Sequence, residues 1–240
     1  MISVCMAVYN GEKYVREQLE SILPQLAEND EVIVSDDGSS DRTLEIIREM
    51  NDPRIHIFQN TGLHGYTRNF ENALMHSEGD IIFISDQDDV WMNNKVRVMT
   101  DALRGYELVI HDAAVTDASL HVTCPSHFAK MNIRPGFLRD FVRMRYSGAC
   151  MAFTRDFLEL AVPFPSDAEL CPYDNWLAFL AEYRHTANVI FRQLILYRRH
   201  GDNALTAGEY STRPVLTRIR SRLYCLRHVI ARNLARSEKR

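Results

Sequence analysis

The chain has 240 residues, of which 46% are hydrophobic and 25% charged, with a formal net charge of -4. Those values suit one globular domain of ordinary size and argue against disorder and against a nucleic-acid binder. The five cysteines (Cys5, Cys124, Cys150, Cys171 and Cys225) form no CxxC pair, so neither a disulfide framework nor a zinc site is predicted, and reduced thiols in a cytoplasmic protein are the expectation.

Ile2–Tyr9 is a short apolar run of strand formers ended by Asn10-Gly11. No basic region precedes it, so no signal peptide is expected. Val15, Leu19, Ile22 and Leu26 follow at helical spacing. Glu31–Ser35 reads as a second buried strand and Asp36–Asp41 as a turn, after which Ser40 or Asp41 caps a helix carrying Leu44, Ile47 and Met50. Ile55–Phe58 is a third strand, a helix with Phe70, Ala73 and Leu74 comes after Gly62 and Gly65, and Asp80–Ser85 is a fourth strand ending in Asp86. Strands apolar on both faces that alternate with helices predict an α/β fold, with a mostly parallel central sheet flanked by helices.

Beyond Leu103 the pattern predicts strands at Leu108–Ile110, Cys150–Phe153, Val189–Phe191 and Leu194–Tyr197, a helix over 174–183, and antiparallel additions to the sheet. The division expected is one domain over 1–212, in two halves (1–110 and 111–212), followed by a basic amphipathic helix over 213–240. In that helix Leu216, Ile219, Leu223, Leu226, Ile230 and Leu234 recur at three- and four-residue spacing among arginines. It has two readings: its apolar face packs on the domain, or it lies on anionic lipid at the inner face of the membrane. No run approaches the length needed to span a bilayer.

Ligands of open parallel sheets bind outside the carboxyl ends of the strands. Two acidic clusters fall there, Asp36-Asp37 and Asp86-Gln87-Asp88-Asp89. Three carboxylates within four residues repel one another unless a cation joins them, and oxygen ligands suit Mg²⁺ or Mn²⁺ shared with a diphosphate. Neither GxGxxG nor GxxxxGK[ST] is present, which disfavours dinucleotide and P-loop enzymes.

The motifs Val4-Cys-Met-Ala-Val-Tyr-Asn-Gly-Glu12, Val34-Ser-Asp-Asp-Gly-Ser-Ser-Asp-Arg-Thr43 and Ser85-Asp-Gln-Asp-Asp-Val-Trp91 resemble, in that order and at separations of about 25 and about 50 residues, the motifs of family 2 glycosyltransferases. Together with Tyr197-Arg-Arg-His-Gly-Asp-Asn203 they look most like bacterial rhamnosyltransferase-type members acting on cell-surface polysaccharides. The resemblance implies a GT-A fold and an inverting enzyme. Its donor would be a UDP- or dTDP-sugar, dTDP-rhamnose being one candidate, its cofactor a divalent cation (Mn²⁺ or Mg²⁺), and its acceptor a glycan or a lipid-linked sugar.

By the same resemblance Ala7, Tyr9 and Asp37 border the pyrimidine, with Asp36 nearby. Arg68 approaches the base or the phosphates, Asp86 faces the ribose or the donor sugar, Lys95 reaches the diphosphate, and Asp88 and His200 serve the metal. Asp174 matches the family's catalytic base, although Tyr173 and Asn175 depart from the usual His-Asp-Trp-Trp form. Trp91 and Trp176 read as core residues. The rival classes are a sugar-nucleotide pyrophosphorylase, which lacks its glycine-rich loop here, a catalytically inactive nucleotide-sugar-binding module, and a phosphoryl-transfer enzyme with Asp36 as nucleophile.

Overall fold

A computed structural model describes residues 1–143, 146–201 and 214–237. The expected boundary at 212/213, the Asp202-Asn203 end of the C-terminal motif, and Glu238, Lys239 and Arg240 lie outside the described residues.

The first half follows the predicted alternation. It comprises β1 (Ile2–Val8), α1 (Val15–Ile22), β2 (Glu31–Asp36), α2 (Thr43–Glu49), β3 (Ile55–Gln59), α3 (Tyr66–His76) and β4 (Ile81–Ser85). Residues of β2 are buried without exception, as expected for a strand covered on both faces. Helix α1 buries Val15, Gln18, Leu19 and Ile22, one stripe at the helical period. Strands β1, β2, β3 and β4 are parallel, with Val8 opposite Asp36, Asp36 opposite Gln59 and Met6 opposite Ser85. Because parallel strands end at one edge, the loops after Val8, Asp36 and Ser85 gather there.

The second half holds β5 (Val90–Trp91), α4 (Lys95–Ala102), β6 (Leu108–Thr116), β7 (Val122–Cys124), α5 (His127–Met131) and α6 (Phe137–Val142). It continues with β8 (Met151–Thr154), α7 (Arg155–Ala161), α8 (Tyr173–Tyr183), β9 (Ala187–Arg198) and α9 (Val215–Ser237). Among the described residues all nine strands form one sheet in the order β3-β2-β1-β4-β8-β6-β9-β5, with β7 beside β6. The predicted antiparallel addition is β8, antiparallel to both β4 and β6. Two alternations of direction return β6 to the sense of β4, and β9 is parallel to β6. The carboxyl end of β9 therefore reaches the same edge as Asp86.

Two expectations are corrected. The pair of strands at 189–191 and 194–197 is one twelve-residue strand. It carries Gln193 through a bulged register, where Gln193 Nε2 donates to Asp112 Oδ2 at 2.6 Å. In α9 the docked face is Ser221, Cys225 and Val229, whereas Leu216 (79%), Ile219 (48%), Leu223 (57%) and Leu234 (62%) of the apolar stripe are exposed. Arg232 sits on the docked side and donates to the carbonyls of Leu160, Val162 and Pro163 at 2.6–2.7 Å. Of the stripe, Leu226 packs against the core beside Cys225, and the helix docks through a face turned away from most of the other leucines. No described helix is long and apolar enough to cross a membrane.

Helix α8 is buried on nearly every side, the mark of a central helix. Trp176 is fully buried and its Nε1 donates to the Ala161 carbonyl at 2.9 Å; Trp91 is buried as well. Both are core residues, as predicted, and each such side chain contributes about 1.5–3 kcal/mol by leaving water.

Candidate donor and metal site

Val8 ends β1, and the chain turns at Asn10, with φ +48°. The side chain of Gln87 closes on this turn. Its Oε1 accepts from Tyr9 N at 2.9 Å and its Nε2 donates to the Tyr9 carbonyl at 3.0 Å. The approach is so close that a Cβ at Gly11 would collide with Gln87 Oε1. The Tyr9 ring is exposed (56%), and Ala7 is half-buried opposite Ser35.

Asp36 is buried at the end of β2. Its carboxylate accepts from Gly38 N, Ser39 N and Gln59 Nε2 at 3.0–3.2 Å, so it fastens the turn that follows. Asp37 holds the next loop, accepting from Asn60 Nδ2 (2.7 Å), from Gly65 N at the start of α3 (2.8 Å) and lying 3.0 Å from His64 Nδ1. Gly65 has φ +109°, a conformation only glycine adopts without strain. Arg68 pairs with Glu71 at 2.5 Å and donates Nη2 to the carbonyls of Pro165 and Ser166 at 2.7 Å. It therefore braces the loop that leads toward α8, apart from Asp37.

The loop after β4 is tied to the end of β9. The antiparallel register of β5 sets Val90 opposite Leu196, so the two residues before Val90 run alongside Tyr197 and Arg198. Arg198 N donates to Asp89 Oδ1 at 3.0 Å, and Arg198 Nε donates to the Asp88 carbonyl at 2.7 Å. Its other donors go to the Ala118 carbonyl at 2.8 Å and to Glu17, and its guanidinium lies over the Tyr14 ring at 4.7 Å. Beyond it, His200 Nε2 lies 2.8 Å from Asp88 Oδ2, and the His200 ring packs on Tyr14 with centroids 4.7 Å apart.

Burial pushes the Asp86 carboxyl up to about 7, with Asp88 and Asp174 adding to the shift and Lys95 opposing it. Burial, then Asp88 and Asp86, push Asp89 well above the usual carboxylate range. Lys95 is fully buried, its Nζ donating to the Ala149 carbonyl at 2.8 Å and lying 4.1 Å from the Trp91 ring centre. Burial lowers it to about 8, while Cys150, Asp89 and Asp86 oppose that shift. It lies within reach of the charges of Asp86 and Asp89 but has no exposed surface of its own.

Asp89 Oδ2 is buried and has no hydrogen-bond partner among the described residues. An orphaned carboxylate oxygen among mutually repelling acids fits a site completed by a cation. No group of three His, Cys, Asp or Glu residues with metal-binding spacing occurs among the described residues. What the described residues bring together is one carboxylate and one imidazole, Asp88 and His200. That donor set suits Mg²⁺ or Mn²⁺ sharing its remaining positions with phosphate oxygens and water.

Asp174 lies in the first turn of α8, where the helix dipole favours negative charge, and its Oδ1 accepts from Asn175 N at 2.7 Å. The turn is positioned by Tyr173, whose ring packs on Phe70 at 4.4 Å and whose hydroxyl occupies the space a side chain at Gly148 would need. Asp174 and Asp88 are thereby both brought close enough for their charge to act on Asp86. Gln87 and Arg198 were not singled out as site residues from the sequence. The only local signal was their place inside motifs, because their partners lie 78 to 181 positions away.

Residues 3–160 match the family model "Glycosyl transferase family 2". Among curated relatives, UDP-Glc:alpha-D-GlcNAc-diphosphoundecaprenol beta-1,3-glucosyltransferase WfgD of Escherichia coli is 34% identical over 98 residues, 41% of this chain and 39% of that protein. The dTDP-rhamnosyl transferase RfbG of Shigella flexneri is 35% identical over 107 residues, 41% of this chain and 36% of its own. The matched stretch thus spans less than half of either relative. The structure is similar to that of S. aureus TarS 1–349 with UDP-GlcNAc, at a TM-score of 0.66 and 20% identity, covering 84% of this chain and 59% of that one. It is also similar to glucosyl-3-phosphoglycerate synthase from Mycobacterium tuberculosis with Mn²⁺, UDP and glucosyl-3-phosphoglycerate, at 0.60 and 20%, covering 98% and 79%.

Proposed function

Because the chain belongs to glycosyl transferase family 2 and has the GT-A fold, we propose that it is an inverting transferase that moves a sugar from a pyrimidine nucleoside diphosphate to a hydroxyl of a lipid-linked glycan. The observation that carries this reading is the convergence, on one sheet edge, of Asp86, Asp88 with His200, and Asp174. In this reading the turns held by Gln87 and Asp37 form the wall for the nucleotide. Asp88 and His200 hold Mn²⁺ or Mg²⁺, which when bound offsets the charge gathering on the departing diphosphate. Asp174 accepts the proton of the acceptor hydroxyl as its oxygen attacks the anomeric carbon from the face opposite the leaving group. Asp36 is ill suited to be a phosphoryl-accepting nucleophile, since its carboxylate is buried and committed to Gly38, Ser39 and Gln59.

Both relatives named above use nucleotide sugars by their names, UDP-Glc in one and dTDP-rhamnose in the other, and the first acts on a diphosphoundecaprenol-linked sugar. That supports a polyprenyl-diphosphate acceptor here and leaves UDP and dTDP donors to be separated by assay. A lipid-linked acceptor also accounts for α9: its exposed Leu216, Ile219 and Leu223, set beside the exposed Arg220 and Arg227, suit an anionic membrane surface. Loss of liposome binding in L216S/I219S/L223S, which spares the docked face, supports this contact; unchanged binding refutes it.

The deciding experiment is transfer from UDP-glucose and dTDP-rhamnose to a prenyl-diphosphate-linked sugar, with Mn²⁺, by the wild type and by Asp174→Asn. The expectation is product of inverted anomeric configuration, with the variant slowed about 10²–10⁴-fold and its nucleotide binding retained. Retention of configuration, or transfer unaffected by the variant, refutes the assignment.

A further inference from the structure

A cavity of about 330 Å³ lies beside α6, and none of the carboxylates of the candidate site lines it. Ile133, Leu138, Val142 and Tyr146 supply apolar wall. Arg134, Arg139 and Arg143 supply three cations, all exposed, and none forms an ion pair with a described carboxylate. The nearby carboxylate of Glu182 is engaged elsewhere, accepting from Gly136 N at 3.2 Å and Tyr146 Oη at 3.3 Å. Leu138 (77%) and Val142 (63%) stand in water at the rim. On a chain of net charge -4, a gathering of exposed guanidinium groups with no carboxylate partner among the described residues, around an apolar hollow, calls for a ligand that is anionic at one point and hydrocarbon beside it.

The cavity is linked to the acceptor side of the site. Arg222 of α9 donates Nη2 to the Val142 carbonyl at 2.9 Å, and its neighbour Ser221 donates to the Leu170 carbonyl, four residues before Asp174. Consecutive residues of one helix thus fasten the cavity wall and the loop that presents Asp174. A phosphate oxygen is recognised bidentately by arginine, and three such groups match the charge of a diphosphate better than that of a single carboxylate.

We propose that this cavity binds the diphosphate and the first prenyl units of the acceptor, with the arginines on the phosphates and Leu138 and Val142 against the chain. The proposal rests on the lipid-linked acceptor argued above and adds where that acceptor is held.

The test uses the full chain saturated with UDP and Mn²⁺, which keeps the probe out of the donor site. Farnesyl diphosphate, farnesol and inorganic pyrophosphate are titrated into the wild type, R139S/R143S and Leu138→Ser. Farnesyl diphosphate is expected to bind the wild type, at least tenfold more weakly R139S/R143S, and several-fold more weakly Leu138→Ser; farnesol and pyrophosphate each bind far less well. In the transfer assay R139S/R143S raises the acceptor KM about tenfold, with kcat and UDP binding unchanged. Equal binding of farnesyl diphosphate by the wild type and R139S/R143S overturns the proposal, as does pyrophosphate binding as tightly as farnesyl diphosphate, which marks a site for free phosphate. A wild type that binds farnesyl diphosphate through these arginines yet glycosylates only soluble acceptors overturns instead the acceptor reading on which the proposal rests.

Discussion

Asp88 Oδ2 and His200 Nε2 stand 2.8 Å apart across 112 positions of sequence. The contact follows from β5, whose antiparallel pairing with β9 lays the loop after β4 against the segment that leaves the sheet at Arg198. Under the proposed function, this carboxylate and imidazole, fixed side by side at the carboxyl edge of the sheet, would be the protein's ligands to a cation shared with phosphate.

Asp88→Ala and His200→Ala should each abolish the cation-dependent part of nucleotide binding. For the wild type, UDP or dTDP at a hundredfold excess over Kd stabilises by about 2.7 kcal/mol, a rise in Tm of about 5–10 °C for a chain of this size. That rise should require both nucleotide and Mn²⁺ and be absent in either variant. Thermal melts with each ligand alone and with both together read it directly. A full rise in His200→Ala removes the imidazole from the metal site.

Arg198 should tolerate no lysine. Its guanidinium reaches the Asp88 carbonyl, the Ala118 carbonyl and Glu17 while stacking on Tyr14, a fork that one ammonium cannot reproduce. Arg198→Lys is expected to cost about 2–4 kcal/mol of stability and to weaken cation-dependent nucleotide binding at least tenfold, because the Asp88 loop loses its anchor. Urea unfolding and nucleotide titration of the same preparation separate the two effects. A variant as stable as the wild type refutes the anchoring role.

Lys95 gives the protein a signature at alkaline pH. Its folded value of about 8 lies below the ordinary lysine value of 10.5, so from about pH 8 to about 10.5 the unfolded chain holds the proton that the folded chain has lost. Where the unfolded state binds more protons, stability rises with pH. The wild type should therefore gain stability relative to Lys95→Met across that window, by on the order of 3 kcal/mol in total. Parallel denaturant curves at pH 7.5 and pH 9.5 test this; a constant difference between the two proteins contradicts a neutralisable buried lysine.

Thiol labelling should find one reactive cysteine in the native protein. Burial pushes Cys5 up to about 12 and Cys150 higher still, and contact with Cys225 together with burial raises Cys171. Cys225 is buried as well, its thiol 2.6 Å from that of Cys171, which leaves only Cys124 partly exposed. Ellman's reagent should titrate a single thiol before denaturation and five after it. Rapid labelling of Cys171 or Cys225 would indicate that α9 leaves the domain.

The first half of the fold, and the edge on which the carboxylates collect, were legible in the order of residues alone. Strands such as Glu31–Asp36, apolar or small on both faces, read as parallel and covered, and parallel strands all end on one side, so Asp37 and Asp86 had to fall on the same edge. The tertiary structure decided what depends on pairing between distant segments. β6 runs nine residues, where Leu108–Ile110 alone read as a strand, because His111 and Asp112 look polar until Gln193, Ser126 and the Phe128 amide satisfy Asp112. Gln87 is an ordinary loop glutamine until β1 and β4 lie side by side and set it on the Tyr9 backbone. In α9 the periodicity of leucines marked one face while Ser221, Cys225 and Val229 docked another. Periodicity reports which side of a helix is apolar, but which side meets the domain is set by the shape and the free carbonyls of the surface it lands on, here those of Leu170, Leu160, Val162 and Pro163.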